Sequence, residues 1–443
     1  MALGLGLIVV LAGAAGLVAR DGRRQVPAAF RCGRPPVAAV EVFNADGSRR
    51  WLRPLPARVT ESQTSPLADQ ARVYTSEGGL AAFDIQTGRP VWSVPIKGPV
   101  YSEWLDGGQV IGVAEPVGGQ GMIVAVDAAS GRSRWIFQVP DRYFIGEATR
   151  TGDGGLALLG PDGAVRVVDM ANGRVRWATA AAGPENPEVP VGMAAGRGIV
   201  VVTHGGTMTA MNASDGAVRW QTAVPVRSGP ALVGDALVVF DTTVSQKLTL
   251  IGYGLGDGQR RWQMPLPVNT PTPLQLMDQA LLVMSVGYPN YTLVAVDAAS
   301  GAVRWRSDLG PSLIRETLTG RDELVTMQAT VDVKDTRLVV RRLGDGIVTA
   351  DTPLPHGYVD YMVAAPGGGY YGVLSSLVTG DLSHRITAIH QGRLAWAARL
   401  VSQVQRPPAA LPRGGVAVQE ADPECLPAQR AATGRSDTGR RPR

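Results

Sequence analysis

The chain has 443 residues, 45% of them apolar and 18% charged, with 55 Gly, 32 Pro and 2 Cys. It is too apolar for a disordered polypeptide and too poor in cysteine for a zinc ribbon or a disulfide-dense mini-domain. The formal charge of +5 belongs to the ends. Residues 1–34 carry five Arg against one Asp, residues 428–443 again five against one, and the stretch between is net negative. A basic nucleic-acid footprint on the folded body is therefore not supported.

The first element is an uncharged run over residues 2–19, ALGLGLIVVLAGAAGLVA. As a helix rising ~1.5 Å per residue it would be ~27 Å long, close to the ~30 Å hydrocarbon core of a bilayer. Residues 1–19 are read as a transmembrane anchor, with a cleaved signal as the alternative, and 20–36 as a linker. No basic residue precedes the run, and no convincing cleavage site or nearby lipid-accepting Cys follows it. Arg20, Arg23 and Arg24 lie after it, which by the positive-inside rule favours a cytoplasmic body. The cysteines, below, argue for the opposite side.

From residue 37 to 422 the sequence repeats. Clear copies are LAAFDIQTGRPVWSVPI (80–96), VAVDAASGRSRWIFQVP (124–140), VRVVDMANGRVRWATAA (165–181), MTAMNASDGAVRWQTAVP (208–225) and LVAVDAASGAVRWRSDLG (293–310). Trp51, Trp92, Trp135, Trp177, Trp220, Trp262 and Trp305 recur at 41 to 43 residues, and Trp396 holds the last slot. Ala350 stands where one further Trp is expected. Each slot follows a Gly by four residues, among them Gly88, Gly131 and Gly301. Within a copy, an alternating apolar strand leads to a turn capped by Asp and opened by Gly, and a second strand carries the Trp. Two more apolar runs separate one Trp from the next copy. Four strands in ~42 residues cannot bury both faces of their sheet alone, so they must stack on neighbours, and radial closure gives an all-β propeller.

The spacing of Ala82, Asp84, Thr87, Gly88 and Trp92 resembles the tryptophan-docking motif of the quinoprotein-like (PQQ-like) propellers. Ala125, Asp127, Gly131, Trp135 and Ala295, Asp297, Gly301, Trp305 match it with Ser at the Thr position. The resemblance implies that each Trp stacks on a neighbouring blade near its Gly turn. It weakens at 338–355, which has no Trp, and at 250–267, which lacks the usual Asp.

The first copy supplies only two strands and the segment after Trp396 only two more, so one blade is expected to join the chain ends. Counting Trp slots gives nine blades; the resembled family usually has eight, and eight is the alternative. Cys32 lies just before the first strand and Cys425 just after the last. A Cys32–Cys425 disulfide would stand in for the loop that every other blade has there, and two unrelated thiols are the alternative. A bond would place the propeller outside the cytoplasm. The segment 423–443 holds Cys425 and a polar, basic tail, read as disordered.

Signals for chemistry are sparse. His204, His356, His384 and His390 show no metal-ligand spacing and are read as solvated loop residues; no nucleophile elbow or phosphate loop occurs. No catalytic or metal-binding residue is assigned. The resemblance offers one enzymatic alternative, a dehydrogenase using PQQ and calcium, without the adjacent-cysteine pair common there. The favoured reading is a membrane-anchored, extracytoplasmic, monomeric propeller that binds a protein or envelope component, with no cofactor and no nucleic acid. A similar propeller in the BamB-like outer-membrane assembly lipoproteins docks proteins, but this chain lacks their lipidated Cys. Long connections fall on one propeller face, where Tyr101, Trp104, Tyr143, Phe144, Tyr288, Tyr291, Tyr358 and Tyr361 are candidate anchors.

Overall fold

In the computed structural model, the described residues lie between 39 and 420. Outside the description are 1–38, 56–63, 77, 97, 116–119, 141–143, 161–162, 180–191, 225–228, 245–246, 267–274, 278–280, 287–289, 320–321, 331–335, 355–357, 367, 376–383, 391–392, 401–403, 405 and 421–443. The anchor and linker, both cysteines and the tail fall there.

Among the described residues the chain forms nine antiparallel sheets of four strands, A to D, and no helix. Blades 2 to 9 are consecutive: residues 67–95, 100–138, 144–178, 192–223, 231–265, 275–310, 313–354 and 358–399. Blade 1 is composite. Its C and D strands are Ala39–Phe43 and Arg49–Pro54, and its A and B strands are Ala409–Ala410 and Val416–Glu420. The two chain ends pair antiparallel from Ala39↔Glu420 to Phe43↔Val416. This is the predicted shared blade, and it pairs the edges that two separate half-sheets would leave open.

The A strands of blades 2 to 7 lie each against the next, as do those of blades 8, 9, 1 and 2. Blades 7 and 8 share a core of Leu293, Trp305, Leu324 and Leu343. The ring is thus closed. Alternation in the strands explains its cores. In the C strand of blade 3, Ile123 and Ala125 face blade 4, whereas Val124 and Val126 face blade 2. Both faces of each sheet are buried, so these strands read as continuous apolar runs.

In every C–D hairpin the register shifts beside the Trp slot. The residue before the slot has no cross-strand partner: Arg50, Val91, Arg134, Arg176, Arg219, Arg261, Arg304, Thr349 and Ala395. Such a bulge bends the strand and re-aims the side chain that follows it. Here it turns the indole toward the neighbouring blade.

Candidate binding face and blade clasps

Eight indoles dock in one way. Each ring lies on the turn Gly of the next blade: Trp51 on Gly88, Trp92 on Gly131, Trp135 on Gly173, Trp177 on Gly216, Trp220 on Gly258, Trp262 on Gly301, Trp305 on Gly346 and Trp396 on Gly47. A Cβ on Gly131 would sit 2.6 Å from the indole of Trp92, and its φ of +69° is one that L side chains rarely adopt. Each Nε1–H donates to a backbone carbonyl three residues before the Gly, or two before in blade 1; examples are Trp92 to Ala128 (3.0 Å) and Trp220 to Leu255 (2.8 Å). Trp396 donates to Ala45 (2.7 Å), so the circuit passes through the composite blade. One link lacks an indole, that from Ala350 of blade 8 to blade 9.

The receiving turn is organised by its carboxylate. Asp127 Oδ1 accepts from the amides of Ala129 and Ser130 and from the Ser130 hydroxyl. Asp297 does the same with Ala299 and Ser300, and Asp84 with Gln86 and Thr87. Ser and Thr thus do the same work in the motif. These bonds favour the charged form. The Arg134 guanidinium and Ser130 hold Asp127 well below the usual carboxylate range, and hydrogen bonds from Thr87 lower Asp84.

Sequence reasoning missed the arginine that completes this turn. Arg134, Arg176, Arg261 and Arg304, each at the bulge before a Trp, reach Asp127, Asp169, Asp257 and Asp297 at 2.5–3.1 Å. Arg50 and Arg219 bond Asn44 and Asn212 in the same manner. The repeated Arg-Trp pair was the visible signal.

Antiparallel order puts the A–B and C–D turns on one face of the ring and the D–A and B–C connections on the other. The turn face is short and closed by backbone bonds: Gly131 N–H bonds Asp127 O and Gly198 N–H bonds Thr151 O, among many such closures. On the loop face, chain lengths of 55–66, 179–191, 266–274, 376–383 and 400–408 separate successive strands. Ala39 and Glu420, from which both chain ends depart, are also on that face.

The candidate anchors are dispersed. The Tyr101 hydroxyl, partly exposed on the loop face, donates to Glu115 Oε2 at 3.0 Å. Trp104 packs against the core between blades 3 and 4, and Tyr361 against that between blades 9 and 1. Tyr291 differs from the expectation: it is only 3% exposed and lies with Leu293 and Trp305. It opens a C strand whose alternation turns it inward with Leu293 and Ala295. Tyr143 and Tyr288 lie outside the described residues, as do the side chains of Phe144 and Tyr358. The histidines also differ from the loop reading. His204 ends a B strand, and His384 and His390 bound a C strand. Burial lowers the His384 pKa. His356 is outside the description.

Among the described residues no group of three or more His, Cys, Asp or Glu could hold a metal ion. The recurring carboxylates are spent on turns. Among the described residues this donor set does not fit the calcium of a PQQ enzyme. No helix among the described residues is long and apolar enough to cross a membrane.

A family model described as outer membrane protein assembly factor BamB matches residues 30–137 and 161–342, more than half of the chain. The chain belongs to the BamB family. Among solved structures, this BamB-family chain is similar to a eukaryotic initiation factor, with a TM-score of 0.53 and 10% identity over 82% of this chain and 96% of that one. It also matches BamB from Moraxella catarrhalis, with a TM-score of 0.47 and 14% identity over 82% and 97% of the two chains. A europium-containing methanol dehydrogenase gives 0.39 and 12% over 64% and 77%. At these identities the likeness is one of fold. No curated protein sequence matches.

Proposed function

We propose that this BamB-family propeller is a membrane-anchored, extracytoplasmic binding module that engages a protein or envelope component through its loop face. The observation that carries the reading is the asymmetry of the two faces. One is a set of tight turns closed by their own backbone hydrogen bonds. The other gathers the long connections and both chain ends, and variable loops on a rigid scaffold are where recognition concentrates. With residues 1–19 as the anchor, the loop face would look toward the membrane, because the chain enters the ring there at Ala39.

The register Ala39↔Glu420 supports a Cys32–Cys425 bond, since it brings the chain together seven residues after one cysteine and five before the other. By the chain-entropy model such a bond would contribute on the order of 5 kcal/mol. Non-reducing peptide mapping is expected to recover the linked pair; two free thiols would remove the argument for an oxidising compartment.

The function itself is tested by site-specific photo-crosslinking of the full chain in intact cells. Probes at Tyr101 and Glu115 on the loop face are compared with probes at Ala129 and Asp215 on the turn face. Crosslinks from the loop face alone are expected. Equal capture from both faces, or capture from the turns only, would refute the assignment.

A further inference from the structure

At one position of the C strand a single blade departs from the apolar rule. In each C strand, the residue following the one opposite the Trp slot faces the preceding blade. It is Phe43, Phe83, Val126, Val168, Met211, Tyr253, Val296 or Ile389 in eight blades, all buried. In blade 8 it is Arg341, 3% exposed.

Among the described residues its hydrogen-bond partners are neutral. Nη1 donates to Thr326 Oγ1 at 3.0 Å and Nη2 to Ser307 Oγ of blade 7 at 3.4 Å. With its amide oxygen turned to the guanidinium, Gln328 accepts from Nη1 at 2.9 Å and Nη2 at 3.1 Å. The Nε–H is buried with no partner. Asp351 acts on Arg341 from a distance, but its carboxylate is held by Arg337 through two bonds of 2.9 and 2.8 Å. A second orphan lies on the same side of the sheet. Thr317 Oγ1 is buried without a partner, and Thr317 stands directly opposite Thr326 in the register. A guanidinium cannot shed its proton to escape burial, and a buried charge with only neutral partners is costly. An unused guanidinium donor and an unused hydroxyl on the same side of one sheet, with no carboxylate bonded to the cation, describe a receptor for a negative ion.

We propose that Arg341 and Thr317 form a buried site for a small inorganic anion, chloride, clasped between blades 7 and 8. The ion takes the Nε–H and the Thr317 hydroxyl as donors and neutralises the guanidinium. An ion that binds only the folded chain raises its stability in a saturable way, so chloride would act as a structural ligand of this seam.

The test is unfolding of the full chain over a chloride series, with gluconate holding ionic strength constant. The expected result is a midpoint that rises and saturates with chloride in the parent. Arg341→Met should lose that dependence, and Thr317→Val should weaken half-saturation by about tenfold, the loss of roughly one hydrogen bond to a charge. Should Arg341→Met not fold, the Thr317→Val comparison and bromide soaking of parent crystals decide the matter, with an anomalous peak expected beside Arg341 Nε. A parent midpoint indifferent to chloride, an unchanged response in Arg341→Met, or no bromide at that position would overturn the proposal.

Discussion

The seam between blades 2 and 3 and the seam between blades 8 and 9 solve one problem in two ways. At the first, Trp92 of the outermost strand lies on Gly131 and bonds the Ala128 carbonyl. At the second the indole is replaced by Ala350, and the hairpin of the next blade pairs further than at the clasped seams. The C–D hairpin of blade 9 keeps pairing as far as His390↔Arg393, where blade 3 closes a wider loop from Asp127 to Arg132. In compensation, the Tyr370 hydroxyl reaches Glu323 across the seam from B strand to B strand, and Tyr370 packs with Leu338, Val340, Met362 and Ile389. Burial and the Glu323 carboxylate push that hydroxyl's pKa up. The A strands of blades 8 and 9 also run close together. The clasp therefore lacks its indole here, and the seam's adhesion moves inward from the D strand.

Removing an indole from a clasped seam should have the largest effect. Trp220→Ala is expected to cost about 3–5 kcal/mol by urea unfolding, and a loss below about 1 kcal/mol would mean the clasp contributes little. Gly131→Ala should cost about 2–4 kcal/mol, combining the positive φ with the collision against Trp92. Tyr370→Phe probes the exceptional seam. It should cost about 1 kcal/mol through the lost hydroxyl bond and leave the other seams unaltered, which hydrogen exchange of blade 9 against blade 3 would resolve. Acid acts more on the clasped seams. Asp84, Asp127 and Asp297 titrate lower in the folded chain than the unfolded value of about 3.9. Near that pH the unfolded chain binds more protons, so stability is full above about pH 5 and declines as pH falls through 4 and below. Asp127→Asn should flatten part of that decline. Smallest of all, Ala350→Trp should leave stability within about 0.5 kcal/mol of the parent, because the blade 9 hairpin already pairs as far as His390↔Arg393. A clear gain would show that this hairpin can still receive the ring.

The period was legible because a large indole and a positive-φ glycine tolerate few replacements, so both stand out against drifting strands. Ring closure was legible because the first copy holds two strands and the last segment the other two. The longer pairing of the blade 9 hairpin was present in the letters His390-Gln391-Gly392-Arg393, yet its meaning depends on what packs against it, which no single copy reveals. Tyr291 misled for a related reason. It adjoins a connection, but strand alternation had already turned it inward. Arg341 sits in a run of two arginines that reads as a polar turn until the register assigns the first to the core and the second to the surface.

The kink beside each Trp slot has a further consequence. Nine outer strands would otherwise offer nine straight rows of free amides and carbonyls to any passing polypeptide. The misregister interrupts every row near its start, six of them carry a cation at that point, and Pro54, Pro90, Pro95, Pro265 and Pro353 remove donors from four. Two such molecules meeting rim to rim cannot zip into a common sheet, so a wheel built wholly of strands can be held at high density without seeding fibres.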